Sequence, residues 1–400
     1  MATITEVDIL IVGTGPAGVS TALHLLQMDQ TWANRMLLVD KAVHPREKLC
    51  GGGVTLAGDR MLQQLGLTFA PDHIAVREVH FIYGDEAFVA YGAPAFRVIR
   101  RNEFDHWLVQ TAIDRGAAVR QGEAVQAITP RENYVEVRTE RATIHAQVVV
   151  AADGSKSLIR QKLSWPTGGQ AAQANQRQTA RLLEVLTAEE PKLPAIQNGV
   201  AVFDFTPLAT GLQGYYWDFP SLIQAQPTMN RGLFDSRVRS QRPRAPLIPI
   251  LTEALRRRQR DLTNYPVQGH PIHWFNAKAH FSQPRILLVG DAAGVDPLFG
   301  EGISFALGYG EVAATAIVDA FAQQDFRFRN YREWILRHPL LSQLVTRVRV
   351  ANLVYRLTQP WQYFLLWQLV CLLCRIYIWT KPAGTLSKLA YRTKSAKLRA

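Results

Sequence analysis

The feature that most restricts this chain lies at its start. Asp8-Ile-Leu-Ile-Val12 is a short apolar, β-branched run, followed at once by Gly13-Thr14-Gly15-Pro16-Ala17-Gly18. A helical pattern covers Val19 to Leu26, and a second apolar run, Met36 to Val39, ends on Asp40. Continuous apolar runs of this length are buried parallel strands. Strand, glycine turn, helix and second strand make a Rossmann-type βαβ unit that binds a dinucleotide. Gly13 permits the tight turn, Gly15 lets the backbone approach a pyrophosphate, and Gly18 lets helix and strand pack closely. The helix N-terminus offers free N–H groups to phosphate. Asp40 is placed to accept hydrogen bonds from ribose hydroxyls.

Two later segments repeat the strand-then-turn theme. Gln147 to Ala151 leads into Ala152-Asp153-Gly154-Ser155, and Arg285 to Val289 leads into Gly290-Asp291-Ala292-Ala293-Gly294. Asp291 is then expected at a strand's carboxyl end, where open α/β sheets bind ligands. An acid there suits a ribityl or ribose hydroxyl chain, which favours FAD over NAD.

Taken together these residues resemble the group 2 FAD-dependent oxidoreductases of p-hydroxybenzoate-hydroxylase-like fold, and within them the geranylgeranyl reductase family. The resemblance spans about residues 7–320. It is carried by the glycine turn with Asp40, by Lys48-Leu49-Cys50-Gly51-Gly52-Gly53, by Arg101-Asn102-Glu103-Phe104-Asp105, by Asp153-Gly154, and by Gly290–Gly294 with Pro297 and Gly300-Glu301-Gly302. Tyr215-Tyr216-Trp217-Asp218-Phe219-Pro220 matches the family's Y-x-W-x-F-P pattern. The resemblance implies non-covalent FAD held by Gly13, Gly15, Ala17, Gly18, Asp40, Lys41, Lys48, Gly51, Gly52, Arg101, Asp153, Asp291, Pro297, Gly300, Gly302 and Ile303. It implies reduction of carbon–carbon double bonds in a polyprenyl lipid, with Cys50, Tyr215 and Trp217 as catalytic or channel residues. NADPH or ferredoxin would supply electrons, the latter making an electron-donor protein a partner. One departure stands out: the family's glycine pair is Gly232-Leu233-Phe234 here, so the second glycine is missing. The alternatives are a monooxygenase or halogenase of the same fold, or a flavoprotein without catalysis. Tyr215 and Phe219 replace the Trp and Ile of the halogenase W-x-W-x-I-P pattern.

The expected fold class is α/β: a Rossmann-type FAD-binding domain, an antiparallel-sheet substrate domain and a helical C-terminal extension. A discontinuous flavin domain takes residues 1–75, 96–165 and 276–325, the substrate domain 76–95 and 166–275, and the extension 326–400. Residues 304–322 are apolar at helical spacing and form a helix aimed at the flavin. His270, His273 and His280 lack metal spacing and read as structural or surface residues, so no metal site is expected.

Charge sets the extension apart. Residues 326–400 hold fourteen Lys and Arg and one acid, leaving 31 basic and 32 acidic residues of the chain's 45 and 33 in the body. Such asymmetry points to an anionic partner. Trp361 to Trp379 is nineteen residues with Gln362, Gln368 and Arg375 as the polar members, followed by six basic residues. Arg375 argues against a spanning helix, so an in-plane helix on an anionic membrane is expected and a nucleic-acid partner is not. Three cysteines, Cys50, Cys371 and Cys374, suit a reducing compartment, and no secretory leader pattern opens the chain. The expected location is cytoplasmic and peripheral on a membrane.

Overall fold

The computed structural model describes residues 4–163, 179–380 and 388–393. The domain boundary expected at 165–166 and the basic residues Lys381, Lys394, Lys397 and Arg399 lie outside these.

Two sheets organise the molecule. The first has eight strands. Its parallel centre sets Ile4–Val12 between Met36–Asp40 and Thr143–Ala151, with Ala118–Gln121 and Ile286–Leu288 outside them. Register is what builds the site. Val12 pairs with Val39 and Ala151, and Ala151 pairs with Leu288. Gly13, Asp40, Asp153 and Asp291 therefore all leave the sheet at one edge. Ile9, Leu10, Ile11, Leu38, Val148, Val149 and Val150 are fully buried, because helices cover both faces. The Pro16–Met28 and Ile303–Gln323 helices cross closely: a Cβ on Gly310 would stand 2.4 Å from Ser20 Oγ, and that hydroxyl donates to Leu307 O at 2.8 Å. Ile303–Gln323 is long and apolar enough to cross a membrane, yet most of it is buried as a core helix.

The second sheet has nine strands, antiparallel except where Val200–Asp204 runs beside His73–Tyr83. Its middle is Gly214–Ile223, paired with Gln226–Asp235. Side chains alternate along Gly214–Ile223 with the period of two expected of a strand. Tyr215, Trp217 and Phe219 join a cluster with Phe96, Phe234 and Val295 on one face. Tyr216 on the other packs with Leu251 and Leu255 of the Leu247–Arg256 helix. Gly53–Thr55, close to the glycine-rich loop, hangs on the edge of Glu86–Ile99 in this sheet.

The extension is built into both layers. Tyr331 OH donates to Leu288 O at 3.0 Å, and Tyr355 OH donates to Leu298 O at 3.1 Å. Arg347 Nη1 reaches Asp296 at 2.6 Å and Glu301 at 2.8 Å. The Pro360–Thr380 helix lays Tyr363, Trp367 and Cys371, spaced i, i+4, i+8, on Tyr83, Phe88 and Leu208. Its other face leaves Trp361, Phe364, Leu365, Leu369, Leu372 and Leu373 exposed. Lys388–Thr393, expected only as a polybasic flank, is a strand covering the free edge of Glu86–Ile99.

Candidate active site

At the sheet edge, Gly13 adopts φ +105, and a Cβ on it would meet Ala152 O at 2.4 Å. A Cβ on Gly18 would stand 2.0 Å from Gly13 O and 3.1 Å from Ile11 Cγ2. Both positions exclude a side chain for the reasons expected. Gly15 differs: the nearest atom to a Cβ there is Arg46 Nη2 at 3.8 Å. The turn thus faces open space bounded by a guanidinium, above a helix whose N-terminus has no side-chain cap. That is a cradle for phosphate.

Arg46 is not alone. Asp105, fully buried, takes a fork from Arg101 at 2.7 and 2.8 Å and also holds Arg46 at 3.0 Å. One carboxylate therefore fixes two cations beside the turn. Asp40 is already engaged: Oδ2 accepts from Thr14 N at 2.7 Å and Thr14 Oγ1 at 2.8 Å, and Oδ1 from Ala42 N at 2.8 Å. Burial works to raise its pKa, but these donors outweigh it and hold the carboxyl below its ordinary range. A ribose would share Asp40 with Thr14, which tightens the single role expected from sequence. Lys41 beside it is exposed.

Further along the edge, Ser155 Oγ donates to Asp291 Oδ2 at 2.7 Å, and Arg160 ties Ala292 O to Ser155 O at 3.0 and 2.9 Å. Asp153 Oδ2 accepts from Ile159 N, while Oδ1 is buried without a partner. The 296–301 loop is locked from the extension by Arg347, and Glu301 accepts from Thr55 at 2.7 Å. Gly302 then opens the Ile303–Gln323 helix, again without a side-chain cap.

The second sheet forms the roof. Gly51 lies flat on it: a Cβ there would be 3.3 Å from the Phe219 ring and 3.6 Å from Trp217 Cε2. Gly52 needs φ +79 and approaches Ile99 O. Cys50 is bound through its backbone. Its N–H donates to Glu184 Oε2 at 2.9 Å, and its carbonyl accepts from Asn230 Nδ2 at 2.9 Å. Asn230 Oδ1 in turn accepts from Trp217 Nε1 at 2.9 Å. Cys50 and Trp217, 167 positions apart in number, thus share Asn230. Gly232 makes room for the indole, since a Cβ would stand 2.4 Å from Trp217 Cη2. Phe234, at the place of the missing glycine, packs against the 296–301 loop: its ring would be 2.8 Å from a Cβ on Gly300. Tyr215 OH donates to Phe299 O at 2.5 Å, pinning that loop to the roof.

Residues 6–308 match the family described as FAD binding domain. The chain belongs to this FAD binding domain family. FAD is its cofactor, and the protein is an oxidoreductase. The chain is 29% identical over 329 residues to menaquinone reductase of Mycobacterium tuberculosis, covering 77% of this chain and 75% of that protein. It is 26% identical over 356 residues to digeranylgeranylglycerophospholipid reductase 3 of Methanosphaera stadtmanae, covering 84% of each. In structure it is similar to a geranylgeranyl bacteriochlorophyll reductase-like protein from Thermoplasma acidophilum, with TM-score 0.72, 19% identity and 89% of each chain covered. The halogenase PltM shares the fold, with TM-score 0.64, 16% identity and 87% of this chain covered, 76% of that one.

The residues fit the cofactor. The open cradle between Gly15 and Arg46, the orphaned Asp153 Oδ1 and two uncapped helix N-termini are the unmet donors and acceptors that a phosphate, hydroxyl chain and flavin ring would satisfy. Gly13, Gly15, Ala17, Gly18, Asp40, Asp291, Gly300, Gly302 and Ile303 lie along this one edge, with Pro297 on the adjoining loop. Of the structural and surface roles expected for His270, the structure shows the former: half-buried, its Nε2 lies 2.5 Å from Lys48 Nζ. Burial lowers Lys48 to about 8 against the pull of Asp291, and burial with the Lys48 charge lowers His270 to about 4. Burial raises Glu184 to about 8, opposed by Arg100 at 3.9 Å and by the Cys50 N–H. Sequence reasoning missed Arg46, Glu184, Asn230 and Arg347. Asp105 was visible inside a quoted motif, but its double grip was not.

Proposed function

We propose that the protein reduces carbon–carbon double bonds in a polyprenyl chain, and that it does so at a membrane surface. The carrying observation is the aromatic roof: Tyr215, Trp217 and Phe219 over a glycine-rich loop, with Glu184 held uncharged. An aromatic surface of this kind suits an apolar, flexible substrate and disfavours a charged one. The names of two relatives, a menaquinone reductase and a digeranylgeranylglycerophospholipid reductase, both carry polyprenyl compounds.

Reduced FAD, when bound, supplies a hydride to one alkene carbon. The chain must hold the alkene in position and deliver a proton to the other carbon, so that two C–H bonds replace the π bond. Cys50 is the proposed proton donor, carried on the loop that Glu184 and Asn230 hold from either side. Tyr215 and Trp217 are the proposed wall of the prenyl channel, with Phe234, packed beside them and against Gly300, as its proposed floor. Holding an isolated alkene in register supplies a large part of the rate.

Mixing the anaerobically reduced protein with geranylgeranyl diphosphate, a prenylquinone and a geranylgeranyl glycerolipid tests this reading. Flavin reoxidation together with a product two mass units heavier supports it. Reoxidation by oxygen alone, with oxygen or halide appearing in the product, would replace it with a monooxygenase or halogenase.

The Pro360–Thr380 helix supports the membrane part of this reading. One face is docked on the sheet, and the other presents six large apolar residues. The sequence after Thr380 adds six basic residues, each worth about 1 kcal/mol near an anionic surface. Flotation with phosphatidylserine vesicles should retain the protein and weaken with salt, while Leu365→Glu with Leu372→Glu should abolish it. Equal flotation by that variant would remove the membrane from the proposal.

A further inference from the structure

On the far side of Ser155 from the nucleotide turn, a cavity of about 600 Å³ lies among the Thr179–Ala188, Gln226–Asp235 and Gln268–His273 strands and the loop after Asp235. Its wall carries Arg160, Arg181, Arg237, Arg239, Arg242 and Arg244, together with Lys156, against a single acid, Asp235. Residues 1–325 as a whole are balanced, with 31 basic and 32 acidic residues, so this excess is local and unlike its surroundings.

Some of these cations serve the scaffold. Arg237 binds Asp235 at 2.7 Å, Arg242 binds the carbonyls of Tyr355 and Leu357 at 3.1 and 2.9 Å, and Arg160 binds Ser155 and Ala292 as above. Among the described residues, the side chains of Arg181, Arg239, Arg244 and Lys156 have no such partner. Like charges gathered round one space repel, and the arrangement is at its most stable when an anion fills it. Several forked donors round one cavity match the many oxygens of phosphate esters. The volume falls in the range of ~300–1,000 Å³ typical of small-molecule sites, well above that of a lone inorganic ion. Position adds the link to function. Ser155 and Arg160 are in the cavity wall, and their other contacts are Asp291 and Ala292 of the flavin edge.

We propose that this cavity binds the phosphate-bearing head group of a reactant, an organic phosphate or diphosphate whose remaining part extends toward the flavin. The chemistry fits two sources: a phosphorylated nicotinamide reductant, or the head group of the prenyl substrate. Binding itself stands apart from the reading above, while the substrate arm rests on it.

The experiment uses the FAD-loaded full chain and Arg181→Glu with Arg244→Glu, both exposed positions. Calorimetric titration with inorganic pyrophosphate should show one site in the unaltered protein, weakened by salt and at least tenfold weaker in the variant. Retained FAD certifies the variant's fold. Anaerobic reduction by NADPH should then show a Kd raised about tenfold with the limiting rate unchanged, if the head group belongs to the reductant. If it belongs to the substrate, the KM for geranylgeranyl diphosphate rises instead in the dithionite-reduced protein, while that for geranylgeraniol stays put. Equal pyrophosphate binding by both proteins overturns the proposal. So does weaker pyrophosphate binding with neither kinetic arm altered, which marks an adventitious ion only. Failure of every prenyl compound to be reduced, with the pyrophosphate and NADPH effects intact, overturns the alkene-reductase reading and leaves the cavity's role standing.

Discussion

The two ends of the cofactor cleft solve opposite electrostatic problems. At the nucleotide end, charge is present, buried and compensated: Asp105 holds Arg101 and Arg46, and Thr14 and Ala42 hold Asp40 ionised. At the roof end, burial drives the ionisable groups toward their neutral forms. Glu184 rises to about 8, His270 falls to about 4, and Lys48 falls to about 8. The first arrangement binds a charged cofactor with little reorganisation. The second favours the uncharged forms of Glu184 and His270, while Lys48, at about 8, keeps its charge near neutral pH. Fixed charges cost least where their partners are fixed too, and buried groups less fully paired are pushed toward their neutral forms.

Gly15→Val should break the nucleotide end completely. A side chain at Gly15 meets only the Arg46 guanidinium, so the chain should still fold, but the valine takes the space the pyrophosphate needs. The expected product is a colourless protein with an unchanged far-ultraviolet dichroism spectrum. A yellow Gly15→Val protein with stoichiometric FAD on denaturation would mean that phosphate lies elsewhere. Gly18→Val, by contrast, drives a side chain into Gly13 O and should not fold.

At the other end, Cys50→Ala should keep FAD and lose ~10²–10⁴ in the rate of alkene reduction, the usual cost of removing a general acid. The fold has little reason to object, because Cys50 is anchored through its N–H and carbonyl and its Sγ accepts only a 3.4 Å contact from Gly52 N. Anaerobic single turnover is the measurement. An unchanged rate would leave Cys50 as a spacer on the glycine loop and hand the proton to another group.

Asp105→Ala tests whether the nucleotide end depends on its internal anion. It strands Arg101 in the interior, and breaking a buried pair in this way costs about 3–5 kcal/mol. Bound FAD brings its own negative charge, so the loss in the apo protein should exceed that in the loaded one. Thermal denaturation with and without FAD reads the difference. Equal losses in both forms would place the phosphates out of reach of Arg101.

What was legible in the sequence follows the same division. The nucleotide end is local: glycines fixed by a turn, an acid at a strand end and the five-residue Arg101–Asp105 motif can be read without knowing the partner. Glu184, Asn230 and Arg347 acquire their roles only through contacts to Cys50, Trp217 and Asp296, far off along the chain. Glu184 stands in a strand pattern as one more polar residue. The docking of the extension was hidden for a related reason. Leu and aromatic residues all round Trp361–Trp379 hide the docked stripe of Tyr363, Trp367 and Cys371, and a count of charges does not show that Arg347 is spent on Asp296 and Glu301.

Glu184→Gln gives the most selective effect, since it alters charge and almost no shape. The amide oxygen can still accept from Cys50 N–H, and no pH change can ionise it. In the native protein the carboxyl titrates near 8, against an ordinary value of 4.5. The folded state therefore holds a proton that the unfolded chain has released between those limits. The sign follows from linkage: this proton's contribution to stability is full below 4.5 and is lost as pH rises through about 8. Raising the pH from 5 to 8 should thus destabilise the parent relative to Glu184→Gln, by up to about 1.4 kcal/mol per pH unit. Urea midpoints for both proteins at several pH values measure the difference directly. A difference that stays flat across this range would mean that Glu184 is ionised in the folded protein. The roof would then carry a buried charge paired with Arg100, and the contrast between the two ends of the cleft would disappear.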